Sequence, residues 1–131
     1  MGMQIEHIAV WTKNLETLKE FYVQYFGARA WSKYINAKRS FESYFLQFET
    51  GGRIEIMSLP DLNQVENSNT HPSVGYAHIA FSVGTKEMVD ELTTRLQEAG
   101  FELLSGPRIT GDGYYESVIL DPDGNQVEIT V

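Results

Sequence analysis

The sequence contains no cysteine, no long apolar run and few basic residues, and each shortage excludes a class of protein. Without cysteine, a disulfide framework, a thiolate metal site and a cysteine nucleophile are all excluded, so any bound metal must use nitrogen and oxygen ligands. No stretch reaches the roughly 20 apolar residues of a membrane helix, and residues 1–6 lack a signal-peptide pattern, so we expect a cytoplasmic protein with no membrane partner. A net charge of −8 makes nucleic acid an unexpected partner.

The length of 131 residues, with 42% hydrophobic residues, fits one domain with a real core. That domain contains an internal repeat. The string His7-Ile8-Ala9-Val10 recurs as His78-Ile79-Ala80-Phe81, and a helix-capping residue follows each histidine at the same distance, first Asn14 and then Thr85. Apolar residues then recur at helical spacing until Gly27 in the first half and Gly100 in the second. The sequence therefore predicts two copies of one module.

Each half continues with extended segments and closes on an apolar strand that carries one glutamate, Glu55 or Glu128. The segments predicted as strands after the helices are 31–34, 41–48 and 53–57 in the first half, and 102–104, 114–120 and 126–131 in the second. We predict an α+β fold in which two βαβββ modules form a curved mixed sheet with the helices on its outer face. Module one spans residues 1–57, a linker 58–74, and module two 75–131.

Strand parity singles out four polar side chains. Residues alternate between the two faces of a strand, and His7, Glu55, His78 and Glu128 lie opposite apolar residues of their strands. The pattern is weakest at His7, because Ile5 and Ala9 share its side. A glutamate on a strand is usually solvated, and a single histidine is usually structural. Here, however, two histidines and two glutamates occupy equivalent positions of the repeat and point to the same side of their strands. Solvated glutamates and structural histidines would not be expected to coincide in this way. Because carboxylates facing a concavity need a positive partner, we predict one divalent metal bound by all four.

Other residues share that parity. Trp11 lies on the face of His7, and Arg53 and Met57 lie on the face of Glu55. We predict that all three bind substrate. A guanidinium at position 53 suits a substrate carboxylate, although an arginine at a strand end is more often a solvated rim residue.

The repeated module and its ligand order resemble the vicinal oxygen chelate superfamily, which includes glyoxalase I, fosfomycin-resistance enzymes and extradiol dioxygenases. The resemblance spans nearly the whole chain and is most specific in residues 7–10, in 78–83 and in 120–128 with its Asp-Pro-Asp-Gly turn. Carried over, the ligand set of His7, Glu55, His78 and Glu128 looks like that of bacterial glyoxalase I. One departure is Trp11, which stands where the bacterial enzymes have an arginine for a glutathione carboxylate.

The resemblance implies a glyoxalase I-like lyase or isomerase that acts on a small molecule with adjacent oxygens. The metal, which is nickel, zinc, cobalt, manganese or iron, acts as a Lewis acid, and a ligand glutamate acts as the base. We assign that role to Glu128, with Glu55 as the alternative. The resemblance also implies a homodimer, with the metal site lying within one chain or shared between two.

Two other functions remain open from the sequence. A thiol transferase that opens an epoxide, as fosfomycin-resistance enzymes do, would share His7, His78 and Glu128. A metal-free protein that sequesters a ligand, as bleomycin-resistance proteins do, would share the fold. The sequence names neither the substrate nor the metal.

Overall fold

The structure, a computed structural model, describes residues 2–64 and 71–131 and forms two compact units, one in each half of the chain. The first unit contains β1 (His7–Trp11), α1 (Leu15–Phe26), β2 (Arg29–Ala30), β3 (Tyr34–Asn36), β4 (Phe41–Gln47) and β5 (Arg53–Ser58). The second contains β6 (His78–Ser82), α2 (Lys86–Glu98), β7 (Leu103–Ile109), β8 (Tyr115–Leu120) and β9 (Gln126–Thr130). Neither of these helices is long and apolar enough to span a membrane.

Each unit has its own mixed sheet, and the two sheets have the same topology. In the first, the order is β1-β5-β4-β2 with β3 also on β4, and in the second it is β6-β9-β8-β7. The crossover through the helix makes β1 parallel to β5 and β6 parallel to β9, whereas the other neighbours are antiparallel. The α+β class and the repeated module predicted from the sequence are confirmed.

A helix buries one face of each sheet. The apolar side of α1 and the inward residues of β4 and β5 form the first core, and α2 does the same over β8 and β9. The fully buried apolar side chains of the first core are Leu18, Leu46 and Ile56, and those of the second are Val89, Leu96, Ile119, Val127 and Ile129. Because side chains alternate along a strand, the opposite face of each sheet is left for polar and aromatic residues.

The helix ends agree only in part with the predicted caps. The hydroxyl of Thr85 accepts a hydrogen bond from the backbone N–H of Met88 at 3.1 Å, which is the predicted cap of α2. Asn14, in contrast, makes no side-chain cap bond, and its backbone N–H donates to the hydroxyl of Thr12 at 3.0 Å. Gly27 ends α1 with φ of +68°, as predicted.

Several strand bounds differ from the sequence prediction. The strand predicted at 31–34 falls between β2 and β3, two short pieces that pair with the same edge of β4. The strand predicted at 102–104 continues as far as Ile109 because β7 pairs along β8. Gly106 permits this close pairing, since a Cβ there would lie 2.4 Å from the carbonyl oxygen of Glu116. Of the predicted linker 58–74, Ser58 ends β5, and residues 65–70 lie outside the described residues.

Candidate metal centre

The first candidate pair, His7 and Glu55, lies on the sheet face away from α1. In the parallel register of β1 and β5, Ala9 pairs with Glu55 and His7 pairs with Arg53, so His7 and Glu55 are diagonal neighbours. The Nε2 atom of His7 lies 3.7 Å from Oε1 of Glu55. The imidazole is 38% exposed and the carboxylate 19%, so an entering ligand can reach both.

The second unit repeats this arrangement. In the register of β6 and β9, Ala80 pairs with Glu128 and His78 pairs with Gln126. The Nε2 atom of His78 lies 3.0 Å from Oε2 of Glu128. The exposures, 40% for the histidine and 19% for the glutamate, match those of the first pair. The repeat seen in the sequence therefore extends to the placement of the polar side chains.

Within each pair, the spacing of the two donor atoms allows both to bind the same metal ion. With metal–ligand bonds of about 2.0–2.2 Å, two donors lie about 3.0 Å apart at an angle of 90° and about 3.6 Å apart at 120°. The distances of 3.0 Å and 3.7 Å lie at these two limits. In both pairs it is Nε2 that faces the carboxylate, so the imidazole nitrogen and the carboxylate oxygen can point at a common position. The donor set therefore suits a divalent ion of intermediate softness.

The structure brings the four predicted ligands together as two pairs, His7 with Glu55 and His78 with Glu128. Across residues 2–64 and 71–131, no group of three or more histidine, cysteine or acidic side chains is arranged to hold a metal ion. The four-ligand set stays a prediction.

A carboxylate missed by the sequence interpretation borders His7 on its other side. Oε2 of Glu6 lies 3.4 Å from Nδ1 of His7, and Arg53 donates from Nε to the same oxygen at 3.1 Å and from Nη2 to Oε1. The hydrogen bonds from Arg53 lower the pKa of Glu6. Arg53, predicted to bind substrate, is thus already paired within the first unit. Glu6 was missed because it precedes β1, where strand parity gives no prediction.

Aromatic residues cover the rest of this face. Trp11, predicted to bind substrate, is 49% exposed and pairs across the strands with Met57. Its ring meets Phe41 edge to face with centroids 6.3 Å apart, and Phe45 meets the imidazole of His7 in the same way at 5.3 Å. Phe41 and Phe45 lie four residues apart on β4 and so share one face of the strand. This spacing could have indicated the aromatic surface from the sequence.

Glu116 is a second carboxylate that the sequence interpretation missed, in the second unit. On β8, Val118 pairs with Glu128, so Glu116 lies one step away on the same face. Partial burial, followed by the nearby charge of Glu128, raises the pKa of Glu116. Its parity with Val118 was a signal available in the sequence.

Replacing Glu116 with glutamine is expected to stabilise the metal-free protein by about 0.5–1 kcal/mol, the scale of a cross-strand like-charge contact. A carboxyl group whose pKa is raised by folding costs stability once the pH exceeds its pKa in the unfolded chain. The gain of Glu116→Gln should therefore be present at neutral pH and vanish at about pH 3. Urea denaturation with chelator at both pH values checks this, and an equal gain at both would contradict it.

Comparison with known proteins adds a family assignment to this geometry. The sequence model of the Glyoxalase/Bleomycin resistance protein/Dioxygenase superfamily matches residues 4–129. No curated protein matches the sequence.

Solved structures with the same fold include glyoxalases at low sequence identity. The trypanothione-dependent glyoxalase I of Leishmania major aligns with a TM-score of 0.77 and 17% identity, over 98% of this chain and 86% of its own. A glyoxalase family protein from Enterococcus faecalis aligns with a TM-score of 0.73 and 20% identity, over 99% and 97%. A glyoxalase I variant from Zea mays gives 0.79 and 18%, over 97% of this chain and 44% of its own. At these identities the similarity shows the fold.

Proposed function

Because the chain belongs to the glyoxalase/bleomycin resistance protein/dioxygenase superfamily, we propose that it is a metal-dependent glyoxalase I-like lyase or isomerase. Its substrate is a small molecule with two adjacent oxygens. One observation carries the proposal: the same histidine–glutamate pair, with Nε2 facing the carboxylate, occurs at equivalent positions in both units.

The proposed ligands are His7, Glu55, His78 and Glu128. The two carboxylates would balance the charge of a divalent ion, and the two neutral imidazoles would complete a ligand set that leaves room for substrate oxygens. Nickel, zinc, cobalt, manganese and iron all suit this nitrogen and oxygen set, which lacks the thiolates that favour softer ions. When bound, the metal supplies Lewis-acid stabilisation of the negative charge that develops on the substrate oxygens.

Glu128 is the proposed general base, and Glu55 is the alternative. The base takes a proton from the hydroxyl-bearing carbon beside the substrate carbonyl and returns it to the carbonyl carbon. The hydroxyl proton passes to the former carbonyl oxygen, so the substrate is isomerised without any oxidant. Both carboxylates are 19% exposed, so their surroundings exclude most water while still admitting a substrate. Glu116, next to Glu128, adds negative charge to the second pair.

Trp11 and Met57 are proposed to contact the substrate beside the first pair. Ala9 separates His7 from Trp11 on the strand, and its small side chain leaves room for a substrate group above the sheet. The exposed indole and the thioether make this wall apolar. Arg53, in contrast, already pairs with Glu6, so a substrate carboxylate would have to compete with that ion pair.

Replacing Trp11 with alanine is expected to reduce the preference for a substrate with a phenyl group over one with a methyl group by about 10-fold. The reason is the loss of the indole surface on which the larger group packs. The measurement compares kcat/KM for the glutathione hemithioacetals of phenylglyoxal and methylglyoxal. An unchanged ratio would mean that Trp11 does not contact the substrate, and Tyr76→Ala is a control at a fully exposed aromatic residue.

The function is tested by loading the purified protein with each metal in turn and assaying hemithioacetals, epoxides and acyl-CoA substrates. Isomerisation that depends on the metal supports the proposal. Epoxide opening by a thiol would instead indicate the fosfomycin type of enzyme. Tight antibiotic binding by metal-stripped protein, with no turnover, would indicate the bleomycin-resistance type.

We also propose that the protein acts as a homodimer. β1 and β6 each form an edge of their own sheet, and Ile8 on β1 stays 39% exposed. Apolar side chains on an edge strand favour pairing with a further strand or chain. Light scattering that gives the mass of a single chain would exclude this arrangement.

A further inference from the structure

The two ring nitrogens of His7 face different carboxylates. Nδ1 lies 3.4 Å from Oε2 of Glu6, and Nε2 lies 3.7 Å from Oε1 of Glu55. In a neutral imidazole, one ring nitrogen carries the proton and donates a hydrogen bond, and the other accepts. The nitrogen that faces a strong hydrogen-bond acceptor carries the proton. If Glu6 accepts the proton of Nδ1, the lone pair of Nε2 is free on the side of Glu55. That is the nitrogen that a metal shared with Glu55 requires.

Glu6 is itself held in place by Arg53. The guanidinium donates from Nε at 3.1 Å and also from Nη2, so it grips both carboxylate oxygens. A two-point contact of this kind fixes direction as well as distance. The backbone supports the contact, because the N–H of Arg53 donates to the carbonyl of Glu6 at 2.9 Å.

Arg53 is in turn fixed by two aromatic rings. Its guanidinium carbon lies 4.1 Å from the ring centroid of Phe45 and 4.9 Å from that of Trp31. Each contact has the geometry of a cation–π interaction. The indole N–H of Trp31 donates to Gln47 at 2.9 Å, and Phe45 also meets the edge of the His7 imidazole. Packing and hydrogen bonds thus connect β4, β5 and the segment after β2 to the orientation of one histidine.

We propose that Glu6 and Arg53 are positioning residues that hold His7 in the tautomer whose Nε2 binds the metal. This inference rests on the proposed function, in which His7 is a ligand. A carboxylate that accepts a hydrogen bond from the far nitrogen of a ligating histidine fixes the ring and makes it a better ligand. Losing such a partner typically lowers metal affinity by about 10–100-fold.

The second unit supplies an internal control. Ala77 precedes His78 where Glu6 precedes His7, and Gln126 pairs with His78 where Arg53 pairs with His7. An alanine cannot accept a proton, and a glutamine carries no charge to hold a carboxylate. The two histidines are therefore equivalent in the repeat but differ in their support, and only His7 should respond to a change at position 6.

The tautomers are measured by nitrogen NMR on metal-free protein with labelled histidine, at about pH 8.5, above the ordinary imidazole range. In the wild type, His7 should carry its proton on Nδ1. In Glu6→Ala, that proton should move to Nε2, the form that free imidazole side chains favour, whereas His78 should not change. Arg53→Met, which keeps the apolar packing, should shift His7 partly, and Arg53→Lys should restore part of the wild-type state.

Calorimetric titration with Zn²⁺ is the second readout. Glu6→Ala should weaken binding by about 10–100-fold. Glu98→Ala removes the same charge from an exposed position on α2 and should leave binding unchanged. The inference is overturned if wild-type His7 carries its proton on Nε2, or if Glu6→Ala changes neither the tautomer nor the affinity. A wild-type protein that binds no Zn²⁺ would refute the proposed function, and the tautomers would still decide the role of Glu6.

Discussion

Replacing Glu128 with glutamine is expected to weaken metal binding by more than about 100-fold. Even the loss of a residue that only hydrogen-bonds a ligand lowers metal affinity by about 10–100-fold, and Glu128 is a proposed ligand itself. The neutral amide also cannot act as a base, so any turnover that remains should fall by a further 10²–10⁴-fold, approximately the contribution of general base catalysis. The measurements are the Zn²⁺ affinity of the variant and its kcat/KM after metal loading.

Two variants separate the explanations for that loss. Glu116→Gln removes a neighbouring charge on the same sheet face and should retain the metal. Glu55→Gln should also weaken metal binding, because the neutral amide removes one of the two negative charges in the proposed ligand set. If Glu55→Gln keeps the metal but abolishes turnover while Glu128→Gln stays active, Glu55 is the base. If Glu128→Gln leaves metal content unchanged, the proposed ligand set is wrong.

Metal binding is expected to stabilise the folded protein strongly. At a free metal concentration of 100 times Kd, the free energy of unfolding should rise by about 2.7 kcal/mol, because the ion binds the folded chain and not the unfolded one. The effect should reverse when a chelator is added. Urea denaturation with and without Zn²⁺ gives the difference directly.

The same measurement on variants shows which residues hold the ion. His7→Ala and His78→Ala should each lose most of the stabilisation, because each removes one ligand from the set. Glu98→Ala should keep all of it. Equal stabilisation in all four proteins would mean that Zn²⁺ binds elsewhere on this acidic chain, and it would contradict the proposed site.

The repeat explains why so much of the fold could be predicted. The apolar spacing that stops at Gly27 predicted the end of α1. In the structure, the backbone enters the left-handed region at that residue. Parity also placed His7 with Glu55, because side chains two residues apart on parallel neighbouring strands share a face. Both features depend only on local periodicity, which can be read directly from the sequence.

The errors arose where contacts between strands decide the structure. The strand predicted at 31–34 is replaced by the two short strands β2 and β3. Which residues pair with β4 depends on the backbone groups of that strand and not on local propensity alone. Glu6 was missed because its role depends on Arg53 of β5, which lies far away in sequence and reaches it only through strand pairing. For Arg53, parity gave the direction of the side chain but not its partner Glu6, and substrate binding by Arg53 stays a prediction.

The metal content of the native protein decides whether the four proposed ligands bind an ion. The protein should be purified without chelator and without a nickel column, and its metals measured by plasma mass spectrometry. If the proposed ligands bind an ion, the protein should contain one divalent transition metal ion per chain. The double variant His7→Ala/His78→Ala should lose that ion. A wild-type protein without a stoichiometric metal, or a double variant that retains it, would contradict the account.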